Sequence, residues 1–246
     1  MWNPLRKNSA YIAAKRHLLG TITNVRTAER VAALTFDDGP DPDSTPHLLD
    51  ILRKAGARAT FFVVGRRAEK HPELINQIVR EGHLLGNHSW SHTALPLLSR
   101  AERLRDLKRC DKILPKQPRR LLRPPHGYQN TQSRIDAALL GYEVVTWNAA
   151  GYDWSGEDAD AITDRLLEEI QPGSIVLMHD SLYKTVDLSY RDRQPMLSAL
   201  ERVLSQIGDS YRFVTVSELL KIGPPEQTLW VRKPKQDVLA RLITAD

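Results

Sequence analysis

Val31-Ala32-Ala33-Leu34-Thr35-Phe36-Asp37-Asp38-Gly39-Pro40 joins a short apolar run to a pair of carboxylates and a turn signal. Runs of this kind suit strands covered on both faces, and Asp-Gly-Pro ends them in a turn. The layout recurs outward along the chain. Six further segments read as strands: Arg58–Val64, His83–Gly86, Arg120–Arg123, Glu143–Trp147, Ser174–Met178 and Tyr211–Val216. Helical patterns separate them. Ser44–Lys54 carries Leu48, Leu49 and Leu52 and stops before Gly56, and Pro72–Arg80 opens on a first-turn proline and stops at Gly82. Thr131–Leu140, Ala159–Ile170 and Pro195–Ile207 follow, with a charged helical stretch at Ala101–Leu114. Alternating strands and helices predict a parallel sheet wrapped by helices. Seven repeats predict closure, or near closure, into a barrel.

Polar clusters punctuate this pattern at one kind of position. Asp37 and Asp38 follow the first strand, His88-Ser89-Trp90-Ser91-His92 the third and Arg123-Pro124-Pro125-His126-Gly127 the fourth. Asp153-Trp154 follows the fifth and Leu177-Met178-His179 closes the sixth. All lie at the C-terminal ends of strands, where barrel enzymes assemble their sites. Together they supply a carboxylate pair, two histidines at i and i+4, an arginine, a further carboxylate and, in His179, another histidine, the inventory of a metal-dependent hydrolase.

His88 and His92 are four residues apart, which on a helical turn places both imidazoles on one face. Two imidazoles and a carboxylate leave coordination positions open, as in catalytic zinc sites. Each cluster also has an ordinary reading. His-x-x-x-His occurs on surfaces, Asp-Gly-Pro makes plain turns, and Leu177 and Trp154 suit a barrel core. Consecutive residues leaving a strand point in opposite directions, so Asp37 and Asp38 can do two different jobs.

In content and order the five clusters resemble the polysaccharide deacetylases, carbohydrate esterase family 4 with its nodulation-protein-B homology domain, over about Val31–Leu220. The resemblance implies an α/β fold, a distorted (β/α)7 barrel. It implies Asp38, His88 and His92 as ligands of one divalent ion, most often Zn2+, with Co2+, Ni2+ or Mn2+ as substitutes. It further implies Asp37 as general base, held by Arg123, and His179 as general acid, supported by Asp153. His126 and Gly127 would meet the substrate, with the His126 N–H facing the oxyanion, while Trp154 and Leu177 would wall the acyl pocket. Two positions depart from the family pattern. Ala150 stands where an aspartate is usual, and His126 where a tyrosine is.

The implied activity is removal of N-acetyl groups from an amino sugar in an oligosaccharide or glycoconjugate. A deformylase of a lipid-linked amino sugar and an O-acetyl carbohydrate esterase use the same inventory. A silent glycan-binding module would have lost the base or a ligand, and neither is lost here.

The chain has 246 residues, is 41% apolar and carries a formal net charge of +5. That excess is small and lacks a compact basic cluster interleaved with aromatics, so no nucleic-acid partner is expected. One cysteine, Cys110, excludes an intramolecular disulfide. The expected organisation is an N-terminal extension over 1–30, a catalytic domain over 31–222 and a C-terminal tail over 223–246. Neither a membrane span nor a signal-peptide pattern is read, which sets the expectation of a cytoplasmic protein. The basic N-terminus, with Trp2, Leu5, Ile12, Leu18 and Leu19, could make a weak membrane-surface contact. The segment Asp180–Gln194 is expected to lie over the site.

Overall fold

The computed structural model describes residues 19–235 together with 237, 240, 241, 243 and 244. The expected membrane-surface helix falls largely outside the described residues, Leu19 excepted. Among the described residues, no helix is long and apolar enough to cross a membrane.

In chain order the elements are β1 (Thr21–Val25), β2 (Val31–Asp37), α1 (Thr45–Lys54), β3 (Ala59–Val63), α2 (Gly65–Lys70), α3 (Pro72–Arg80), β4 (Leu84–Asn87), α4 (Arg100–Asp111), β5 (Leu121–Leu122) and α5 (Thr131–Leu139). Then come β6 (Glu143–Val144), β7 (Ala149–Ala150), α6 (Ala159–Glu169), β8 (Ile175–His179), β9 (Lys184–Thr185), α7 (Gln194–Ile207), β10 (Arg212–Phe213), α8 (Val216–Ile222), β11 (Pro225–Thr228) and β12 (Ile243–Thr244). Every strand expected between Val31 and Val216 is present, most of them shorter than the apolar run that announces them.

The main sheet runs β6-β5-β4-β3-β2-β8-β7, with β10 beside the start of β2. Its paired strands are parallel. β6 and β7 stand at opposite edges, yet only residues 145–148 separate them. A chain advances at most ~3.6 Å per residue, so the two edges are within about 18 Å and the sheet must curl on itself. β1 fills the seam. Ile22 bridges Val145 and Asn24 bridges Ser174, with the Thr146 N–H donating to the Ile22 carbonyl at 2.8 Å and the Val25 N–H to the Gly173 carbonyl at 2.9 Å. The result is the distorted (β/α)7 barrel.

Period-two alternation sorts the strands into an outer and an inner face. Ala32, Leu34 and Phe36 of β2, Phe61 and Val63 of β3, and Val176 and Met178 of β8 pack outward with Leu48, Leu49 and Leu52 of α1 and with the apolar face of α7. Val31, Ala33, Phe62 and Ile175 pack inward with Ile22, Leu121, Val145 and Val214. On the inner face of β2 the sequence then changes from apolar to polar, giving Thr35 and Asp37. The barrel is therefore greasy at its base and charged at its C-terminal mouth.

The segments flanking Val31–Ile222 meet each other. β1 pairs antiparallel with β11, and Ile22 and Val25 are buried in the inner core. β12 pairs with β9, and Arg232 exchanges backbone hydrogen bonds with Gln129 at 3.0 and 3.2 Å.

The turn after β2 is pinned from β8. Asp180 accepts the Gly39 N–H at 3.0 Å and the Thr45 hydroxyl at 2.6 Å. A Cβ on Gly39 would lie 2.0 Å from Asp180 Oδ2, and Asp180 is too firmly held to move aside. Gly39→Ala is expected to destabilise the fold by about 1–3 kcal/mol, readable as a shift in the urea midpoint at unchanged slope.

Candidate active site

Register alone brings two of the polar residues together. Asp37 and His179 are direct partners across the parallel pair β2–β8, and Thr35 faces Leu177 one step below. Because both strands end at the same level, a carboxylate and an imidazole share the inner rim.

Arg123 holds the Asp37 carboxylate. The guanidinium is fully buried and donates to Asp37 Oδ1 at 2.8 Å, to the Thr35 hydroxyl at 2.7 Å and to the Thr146 carbonyl at 2.8 Å. The ring of Phe62 lies 4.2 Å from its central carbon. A charged group so fully hydrogen-bonded can be buried, and Asp37 is thereby fixed in direction.

Asp38 reaches the same cleft by leaving the strand. Its φ is +77°, so its side chain does not continue the alternation toward the outer face. The expectation that the two carboxylates point in opposite directions is corrected by this left-handed residue. Both line the cleft, with different partners.

The histidine pair also arrives by another route than the one expected. His88–His92 is a loop after β4, with positive φ at Ser89 (+68°) and His92 (+53°), not a helical turn. Hydrogen bonds stabilise the reversal. The Ser89 N–H donates to Asn87 Oδ1 at 2.7 Å, and the His92 N–H to the Ser89 hydroxyl at 2.9 Å. Ser89 thus holds the turn. The two imidazoles still converge, with ring centroids 5.1 Å apart.

Asp38 Oδ1 lies 2.9 Å from His92 Nε2 and 3.3 Å from His88 Nε2. Asp38, His88 and His92 form a buried group able to hold a metal ion, each offering one atom, all within 4.8 Å of one another. The donor chemistry fits a cation. His88 Nδ1 is 2.8 Å from the Arg123 carbonyl, which can only accept, so the proton sits on Nδ1 and the Nε2 lone pair faces Asp38. Asp38 Oδ1 is buried without a hydrogen-bond partner, an arrangement that costs free energy unless a cation compensates it. Burial keeps His92 neutral despite Asp38, as a ligand must be.

On the far side Asp153 holds His179. Asp153 Oδ1 lies 3.1 Å from His179 Nδ1, and Asp153 Oδ2 accepts the His179 N–H at 3.0 Å. Burial alone would lower the His179 pKa, yet the Asp153 carboxylate raises it above the usual imidazole value. Trp154 sets its ring edge-on to His179 at 5.1 Å. Leu177, Trp154, His126 and Gly127 line the same cleft of roughly 240 Å³, together with the two carboxylates and the three other histidine positions. His126 (φ +57°) lies 4.6 Å from the His92 ring, and burial with His92 beside it holds its imidazole neutral. All the residues singled out by the clusters converge.

Three partners were not legible. Arg193, expected over the site, lies behind it, donating to Asp153 Oδ2 at 2.9 Å and to the Asp153 carbonyl at 3.0 Å. Glu169 of α6 accepts the Ala150 N–H at 2.8 Å, at the position where the usual aspartate is missing. The Tyr183 N–H donates to Asp38 Oδ2 at 2.8 Å. No local pattern marks an arginine or glutamate for such roles; a buried Asp153 needing a cation was the only signal. Arg193→Gln leaves that buried carboxylate to His179 alone, and is expected to cost about 1–3 kcal/mol in a urea denaturation series.

The cleft, with its group able to hold a metal ion, lies at the C-terminal mouth of a (β/α)7 barrel. The family model for polysaccharide deacetylase matches residues 24–145. The chain is 37% identical over 198 residues to a peptidoglycan-N-acetylglucosamine deacetylase of Bacillus cereus, covering 78% of this chain and 89% of that one. It is 34% identical over 199 residues to a chitooligosaccharide deacetylase of Sinorhizobium fredii, covering 78% and 92%. The crystal structure of the Bc1960 peptidoglycan N-acetylglucosamine deacetylase, in complex with an N-oxidanyl-benzamide, superimposes with a TM-score of 0.76 at 29% identity, covering 92% of this chain and 100% of that one. The chain belongs to the polysaccharide deacetylases, carbohydrate esterase family 4.

Proposed function

We propose that this protein is a metal-dependent hydrolase that removes N-acetyl groups from an amino sugar within an oligosaccharide or glycoconjugate. One observation carries this reading. A carboxylate fixed by Arg123 and an imidazole fixed by Asp153 face each other across adjacent strands, beside the Asp38-His88-His92 group. The names of the relatives support the same substrate class.

Asp38, His88 and His92 would hold the divalent ion, Zn2+ in our reading; such an ion brings bound water toward a neutral pKa and polarises an acyl carbonyl. Asp37, whose Oδ1 is held by Arg123, takes the proton of the attacking water on Oδ2. His179 donates a proton to the leaving nitrogen, and Asp153 stabilises its charged form. The His126 N–H faces the oxyanion. Leu177 and Trp154 bound the space left for the acyl methyl.

The test is acetate release from N-acetylglucosamine oligomers of increasing length, run beside formate release from an N-formylated amino sugar and acetate release from an O-acetylated sugar. Acetate from the N-acetyl series supports the proposal; turnover confined to the formyl or O-acetyl substrate overturns it. The acid must be protonated to act, so activity is expected to fall as pH rises through the elevated pKa of His179. Asp153→Asn removes the charge that raises it. In that variant the alkaline limb of the kcat/KM profile is expected to move to lower pH.

A further inference from the structure

Asp38 aside, charge is balanced deep in the cleft and unbalanced at its mouth. Asp37 is met by Arg123, and Asp153 by His179 and Arg193. Lys184 and Arg232 line the outer part, and among the described residues neither has an acidic partner. Their placement is built by the fold. Lys184 opens β9, one residue beyond the Tyr183 N–H that holds Asp38 Oδ2. Arg232 is held by the backbone exchange with Gln129 and lies 5.6 Å from the Tyr128 ring. Two residues earlier, the Trp230 indole N–H donates to the Gly127 carbonyl at 3.0 Å and its ring meets Trp147 at 5.6 Å.

Two cations fixed on one rim without anions of their own attract and orient a negative group. We propose that Lys184 and Arg232 form an anion subsite, which takes a carboxylate or phosphate carried by the glycan on or next to the sugar being deacetylated. The subsite rests on the deacetylase reading of the cleft and narrows its substrate to acidic glycans. A neutral chain would leave both cations facing only water. Val186, exposed beside Lys184 and also lining the cleft, offers the sugar ring an apolar edge.

The experiment measures Kd by titration calorimetry in the Asp37→Asn background, so that ligands survive. Three matched tetramers are compared: neutral N-acetylglucosamine, the same chain with 3-O-lactyl carboxylates, and the same chain with 6-phosphates. One anionic ligand is expected to bind about tenfold tighter than the neutral one, and which one does so identifies the group. The advantage is expected to collapse toward parity in Lys184→Gln/Arg232→Gln and to persist in Lys184→Arg/Arg232→Lys. Equal Kd for all three ligands, or an advantage untouched by the double glutamine variant, overturns the subsite. Should that variant fail to fold, salt decides: an advantage that survives a rise from about 0.05 to about 0.5 M NaCl also overturns it. Failure of the wild-type chain to release acetate, with the anion advantage intact, would sink the deacetylase reading and leave the subsite standing.

Discussion

Asp37→Asn is expected to lower acetate release by about 10²–10⁴-fold, the range spanned by a positioned general base, while leaving metal content intact. The amide oxygen can still accept from Arg123, which donates to Oδ1 at 2.8 Å, so the buried arginine keeps a partner. Asp38, His88 and His92 are untouched, so the cation group survives. What is lost is the ability of Oδ2 to take a proton. Rates should be read beside metal content by mass spectrometry and a melting curve. A fully metallated, normally stable variant with a rate within tenfold of wild type would refute the role of Asp37.

Removing the cation is expected to do at least as much damage. Dialysis against a chelator should reduce activity by on the order of 10³-fold, since a bound ion supplies several kcal/mol to such a reaction. Adding back Zn2+ should restore it. His92→Ala should mimic the loss and resist rescue, because Nε2 of His92 is the nitrogen closest to Asp38 Oδ1, at 2.9 Å. The metallated protein should also melt higher than the stripped one, because a ligand bound only by the folded state stabilises it. In the stripped protein Asp38 Oδ1 is again a buried atom without a hydrogen-bond partner. Activity unchanged after verified removal of all metal would end the metal-dependent reading.

How much could be read beforehand differs between strand and loop. β2 was legible because a strand buried on both faces is a continuous apolar run, and its polar end at Thr35 and Asp37 stood out against that run. β1 and β11 were not, since Thr21-Ile22-Thr23-Asn24-Val25 and Pro225-Glu226-Gln227-Thr228 are half polar and find each other only across some 200 residues. The His88–His92 spacing was informative and its geometry was not. Four residues of separation bring two imidazoles together on a helix, and equally across a reversal built on left-handed Ser89 and His92.

Residue types and their order determined the family, the barrel and the set of groups in the cleft, because each cluster sits where a strand ends. Tertiary structure alone decided which groups face each other. Asp37 meets His179 through the register of two strands about 140 residues apart. Arg193 turns inward to Asp153, Glu169 reaches the Ala150 N–H, and Arg232 comes back over the mouth on a distant segment. Such pairings depend on how far the sheet curls and where remote segments pack. Local pattern cannot carry that information, because the energies that choose among pairings arise only when separated charges are buried together.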